Sequence, residues 1–405
     1  MPKSNLKAVE TAPDVAPDSD RGDILARAQR MAAVAALNAD AVDADARFPH
    51  EAIAAAKEEG LFGLLVPRHL GGEGASLGEV ADVCYTLGAA CANTGMIYAM
   101  HQVKAACLVD HCADSPWHQD LLTRLAKEQL LFASSTTEGK KGGDVRSSEA
   151  PVVRDGDRIS LTRDASVISY GEYADAVITT ARRNPGADGA DQVLVALLKD
   201  QFSLARTMGW ETLGMRGTCS AGFTLKAEAK AEQVLPTAYE TIHARSMVPA
   251  AHLLWSSTWT GVASGAVERA RRFMRRAMRG AGQLPPGAAH FTRATTDLNT
   301  LRGLVAASLT RHENAVAAGG DALSSIDFHT SISLLKVEAS ELAVQVVMSA
   351  LRATGLSGYR NDTDVSIGRA LRDILSSPLM INNERILSNL ASSVLVAGAP
   401  RSLRG

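Results

Sequence analysis

The strongest constraint on this chain is a block of β-type texture set between two long stretches of helical patterning. From Leu130 to about Pro236 the sequence breaks into short runs. "PVVRDGDRISLT" places two of them around Asp155-Gly156, a hairpin signal, since Gly accepts the positive φ that a tight turn needs. "ASVIS", "DAVITTARR", "QVLVALLKD" and "GFTLKAEAK" read as further strands at short spacing. Together they predict an antiparallel β domain, a small barrel or sandwich. On either side the apolar period is helical. Asp23 stands as an N-cap before Ile24, Ala28, Met31 and Ala35, and "EAIAAAKEEGLFGLLVP" and "GEVADVCYTLGAACANTGMIYAMHQVKAACLVDH" continue the pattern. Downstream, Ala266, Ala270, Phe273 and Ala277 share one face. Leu335, Ala339, Leu342, Val346 and Ala350 form another stripe, closed by Gly355 as a C-cap. The fold class is α+β, mainly α. Its parts are a disordered tail (1–22), an N-terminal helical domain (23–129), the β domain (130–237) and a C-terminal helical bundle (238–405).

Composition limits the partners. With aromatics at 4% of the chain, the core must be built from Ala, Leu and Val, which suits helix packing. A net charge of −2 gives no general attraction to nucleic acid or to an anionic membrane. No apolar run approaches the ~18 residues of a membrane span, and no secretory h-region opens the chain. The five cysteines lack ligand spacing and read as reduced thiols, so a cytoplasmic location without a metal site is expected.

Three stretches draw attention as sites. "SSTTEGKKGGDVRS" follows a strand and could offer backbone N–H groups to a phosphate or a flavin edge, although its local pattern is also that of a surface loop. Arg269, Arg271, Arg272, Arg275, Arg276 and Arg279 crowd one helix. A solvated face and an anionic partner both remain open there. In "RDILSSPLMINNERIL", Asn383 suits an N-cap. His101, His252, His290 and His329 show no spacing to an acid that forms a site, and are read as structural.

Six segments in order, "LFGLLVPRHLGGEGASLGEVA" with "CANTGMIYAMH", "TTEGKKGGD", "WETLGMRGTCS", "ALRATGLSGY" and "RALRD", resemble the acyl-CoA dehydrogenase family from about Ile24 to about Leu395. The resemblance implies FAD held between an α-helical domain, a β domain and a four-helix bundle, in a homotetramer or homodimer. The implied substrate is an acyl thioester on coenzyme A or a carrier protein. The electron acceptor stays open. It further implies that Thr137, Gly142, Gly143 and Ser169 meet the flavin, with Val167 where a Trp often packs on the ring. Arg276 or Arg279 would serve the pyrophosphate, Gly355 and Gly358 would approach a neighbouring subunit's FAD, and Asn383 would fall where a Thr commonly meets it. The family's catalytic Glu position is Ile381, and the alternative site on the first long C-terminal helix, "HLLWSSTWTG", has no carboxylate either. Glu384 is then expected to be structural, with any base coming from elsewhere, such as Glu138 or a histidine. A flavin-dependent monooxygenase on the same fold, or a catalytically silent flavoprotein, are the competing readings.

Overall fold

The structure, a computed structural model, describes residues 23–139 and 145–396. Five helices come first: α1 (Ile24–Ala44), α2 (His50–Glu58), α3 (Leu77–Ala90), α4 (Ala92–Val109) and α5 (Pro116–Glu128). Helix α3 begins with a capping box, in which Ser76 Oγ accepts from the Glu79 N–H and the Glu79 carboxylate accepts from the Ser76 N–H. Asp23 does precede α1, but its carboxylate makes no capping bond.

The β domain holds two sheets. One runs β1 (Phe132–Ser135), β4 (Ala176–Arg182), β5 (Gln192–Leu198). The other runs β2 (Val153–Asp155), β3 (Arg158–Ile168), β7 (Ala221–Lys230), β6 (Phe202–Met208). All neighbours are antiparallel except β1 beside β4. Asp155-Gly156 makes the expected turn, with Gly156 at φ +61°. Sequence reading had β1 only as an unbounded strand before the Ser134 stretch and missed β6. Strand β1 is four residues long, and β6 carries too few buried side chains to show an alternation.

The chain returns to helix at α6 (Tyr239–Ile242), passes through a π-turn at His243–Met247, and enters α7 (Val248–Ala281). Helices α8 (Ala288–Ala318), α9 (Ile326–Thr354), α10 (Leu356–Tyr359), α11 (Gly368–Ile374) and α12 (Asn383–Val396) follow. Helix α7 is the spine of the molecule, packing on α3 and α4 from the first domain and on α8 and α9 from the bundle. Glycines let α3 and α7 approach backbone to backbone. A Cβ on Gly88 would lie 2.2 Å from the Thr258 carbonyl oxygen, and one on Gly261 would lie 2.1 Å from that of Tyr85. Helix α9 ends at Gly355, a C-cap whose φ of +55° glycine tolerates most readily.

Candidate active site

A cavity of about 690 Å³ opens where the three parts meet. Helix α4 presents Met96, Met100, Val103 and Lys104 to it, positions that share one face at helical spacing. The β domain adds Thr137, Ser166, Val167, Ser169 and the Trp210–Met215 loop. The π-turn and the start of α7 add His243, Met247, His252 and Trp255, and the segment after α11 adds Leu379, Met380 and Ile381. Such π-turns recur at functional sites because the extra residue redirects side chains. The 243–247 turn carries no sequence signal that would have placed His243 or Met247 here.

The β-domain wall is lined with hydroxyls. Ser166 Oγ donates to Thr137 Oγ1 at 3.0 Å, and Ser220 Oγ donates to Ser169 Oγ at 2.8 Å while sharing a 2.7 Å bond with Thr218. Trp255 Nε1 on the opposite side is buried with no hydrogen-bond partner. Hydroxyls on one wall, an orphaned donor on another and a methionine-rich floor suit a flat heteroaromatic ring whose edge is polar and whose faces are apolar. A flavin ring fits those residues.

The C-terminal segment is locked to the rest by its polar side chains. Asp373 accepts from the Met215 N–H at 2.6 Å, and burial pushes its carboxyl up to about 6. Gly214 lies against the Arg372 backbone so closely that a Cβ there would sit 2.2 Å from the carbonyl oxygen. The Arg372 and Arg369 guanidinium groups bond Asp43 and Asp40 on α1. This clamp sets the chain that follows, and Ile381 reaches the cavity at φ +57°, a left-handed conformation that a β-branched residue rarely adopts.

Two sequence expectations are corrected here. The cap of α12 is Asn382, whose Oδ1 accepts from the Arg385 N–H. Asn383 lies one position inside the helix, buried, with its amide held by Lys336, Ser340 and Glu341 on α9. Glu138 is no free base. It forms a buried ion pair with Arg163 at 3.1 Å and also accepts from Ser148 Oγ and the Glu149 N–H. Its carboxylate oxygens are already engaged by these partners rather than turned to the cavity.

The remaining positions separate. Thr137, Ser169, Val167 and Ile381 come together in the cavity wall. Gly355 and Gly358 lie at the end of α9, outside the lining, where a Cβ on Gly358 would meet Thr354 Oγ1 at 1.8 Å. Arg276 is exposed and paired with Asp364 at 2.9 Å. Arg279 is exposed, and Glu384 lies on the outer face of α12. Gly142 and Gly143, like the tail, fall outside the described residues. Of the histidines, His101 bridges the Phe62 carbonyl and the Phe132 N–H and is pushed down to about 4 by burial. His252 lines the cavity, bonded to the Ile332 carbonyl and pushed down to about 3 by burial. Among the described residues no carboxylate lines the cavity.

A three-part fold of this order, closed around a cavity of this kind, defines an oxidoreductase of flavoprotein type. The chain belongs to the acyl-CoA dehydrogenase family: residues 21–129 match its N-terminal domain and residues 253–376 match its C-terminal domain. It is 25% identical to cyclohex-1-ene-1-carbonyl-CoA dehydrogenase of Geobacter metallireducens, over 88% of this chain and 92% of that one. Against the probable acyl-CoA dehydrogenase YngJ of Bacillus subtilis it is 27% identical, over 47% of this chain and 50% of the relative's length. Among solved structures it is similar to FMN-bound TdsC, a dibenzothiophene monooxygenase, from Paenibacillus sp. A11-2. The TM-score is 0.80 at 18% identity, covering 94% of this chain and 100% of the other. Among the described residues no helix is long and apolar enough to cross a membrane.

Proposed function

We propose that this chain is an FAD-dependent oxidoreductase acting on an acyl thioester, carried by coenzyme A or a carrier protein, and that it works in the cytoplasm as a homotetramer or homodimer. When bound, the flavin supplies a two-electron acceptor. Thr137, Ser166 and Ser169 hold its polar edge, while Met96, Met100 and Trp255 bound the space in which the acyl group lies and keep water out. The observation that carries the reading is Ile381 in the cavity wall, at the position where the resemblance expects a carboxylate. The substrate then either meets a base other than a carboxylate, such as a histidine, or has an α-hydrogen already acidified by a neighbouring group or a heteroatom that gives up its own proton. The choice of FAD over FMN rests on the resemblance at Gly355, Gly358 and the arginine helix.

The test is flavin reduction under anaerobic conditions. Wild type is expected to reduce slowly with simple saturated acyl-CoAs. Ile381→Glu should raise that rate, because it restores a carboxylate beside the reacting carbon. Rapid reduction of wild type that Glu384→Gln abolishes would show that the base has moved along the turn. The carboxylate-free wall, with the likeness to TdsC, favours one second reading: a monooxygenase that takes reduced flavin from a partner. Substrate-dependent oxygen consumption with supplied reduced flavin would select it. A protein silent in both assays is the non-catalytic flavoprotein.

A further inference from the structure

Lys104 stands out among the groups that line the cavity. It is 2% exposed, in the middle of α4, and the one hydrogen bond it makes among the described residues is to the thioether sulfur of Met247, 3.7 Å away. A thioether is a weak acceptor and compensates little of the cost of taking an ammonium out of water. Two other basic groups in the wall differ. Arg372 is bonded to Asp43, and His252 is bonded to a backbone carbonyl and kept neutral by burial. Among the described residues no carboxylate lines the cavity to serve as its partner. The chamber therefore contains a desolvated cation whose missing partner has to come from what enters.

We propose that Lys104 binds an anionic oxygen carried by the substrate, so that the native substrate joins an apolar body to one oxyanion-forming group, a carboxylate or an acidic hydroxyl. The position fits this chemistry. Lys104 follows Met96 and Met100 along the same helix face, so an apolar body lying on the two methionines brings its polar end to the ammonium. Burial pushes the lysine down to about 8, which leaves it mainly charged at neutral pH. The inference rests on the cavity being the substrate chamber, and the experiment separates the two.

The flavin-loaded protein is titrated with three probes of one shape: 2-naphthoate, 2-naphthol and neutral 2-methylnaphthalene. Lys104→Met should weaken naphthoate or naphthol at least about tenfold, the scale of one charge-assisted hydrogen bond, while leaving 2-methylnaphthalene within about twofold. Lys104→Arg should retain most of the anion affinity. Loss for naphthoate assigns the oxyanion to a carboxylate. Loss for naphthol, accompanied in wild type by the absorption of bound naphtholate, assigns it to an acidic hydroxyl. Equal losses for all three probes, or none, overturn the proposal. Loss of flavin from Lys104→Met also overturns it, by giving Lys104 to the cofactor. Failure of wild type to bind any of the three would sink the chamber reading itself.

Discussion

Two lysines are buried among the described residues, and their surroundings differ in the way that separates scaffold from site. Lys336 on α9 is fully enclosed. Its ammonium donates to Asn383 Oδ1 at 2.6 Å, lies 5.7 Å from the centre of the Trp259 ring and is attracted by Glu341. Asn383 in turn donates to Ser340 and Glu341, so the node closes on itself and ties α12 to α9. Lys104 is buried almost as deeply but has only a sulfur to donate to. Burial pushes both down to about 8. The shift alone does not tell them apart. What differs is who supplies the acceptor: in one case the chain itself, in the other an empty side of the chamber wall. A fully partnered buried charge specifies a packing arrangement, whereas a half-partnered one is a binding site in waiting.

The largest expected effect is at the closed node. Lys336→Met should lower stability by about 3 kcal/mol in urea denaturation, because the buried Asn383 amide oxygen loses its charged donor while staying out of water. A loss too small to measure would dissolve the contrast. Lys104→Met should act in the opposite direction and raise stability by about 1–3 kcal/mol at pH 7, since an apolar side chain of similar length removes an uncompensated charge. That gain should shrink with pH. The folded lysine is pushed down to about 8 from an ordinary 10.5, so across that window the unfolded chain holds the proton that the folded one has lost. Wild type is then stabilised relative to the variant as pH rises from about 8 to about 10.5. A gain unchanged at high pH would mean that charge was not its cause.

A smaller effect is expected at the turn that completes the chamber. Ile381 sits at φ +57° and is 36% exposed, so it is strained without being a major core residue. Ile381→Asn should raise the thermal midpoint, by about 0.5–1 kcal/mol of stability, because Asn accepts the left-handed region. A fall would show that the isoleucine's contacts in the chamber outweigh its strain. The smallest effect belongs to Arg276. Its exposed pair with Asp364 is screened by water, and Arg276→Ala should leave the thermal midpoint where it is. If flavin content nevertheless falls, the arginine helix joins the functional region and the surface reading of it is wrong.

Much of the architecture was legible from local pattern. The helical period around Ala266 and Leu335, the Asp155-Gly156 turn and the Gly355 cap depend on neighbours a few residues apart, so the sequence carries them directly. The ordered motifs located Thr137, Ser169 and Ile381, and all three reach one cavity. Lys104 was in plain view, a single cation inside the apolar run "IYAMHQVKAACLV", and a reading alert to charge within a buried helix could have singled it out. Its meaning was not readable there, because that depends on finding no oxygen near Nζ.

Only the tertiary structure decided which groups are spent and which are free. Glu138 looked available as a base until Arg163, 25 positions away along the chain, was seen to hold it, and Asn383 looked like a cap until Lys336 was seen to hold its amide. A π-turn with no local signature brings His243 and Met247 to the chamber, and Asp373 fixes the wall by reaching the Met215 backbone. The reason is physical. Backbone periodicity is set over a few residues by hydrogen bonds and side-chain direction. Whether a buried charge is satisfied depends on atoms within about 3 Å, which the sequence places tens to more than a hundred residues apart.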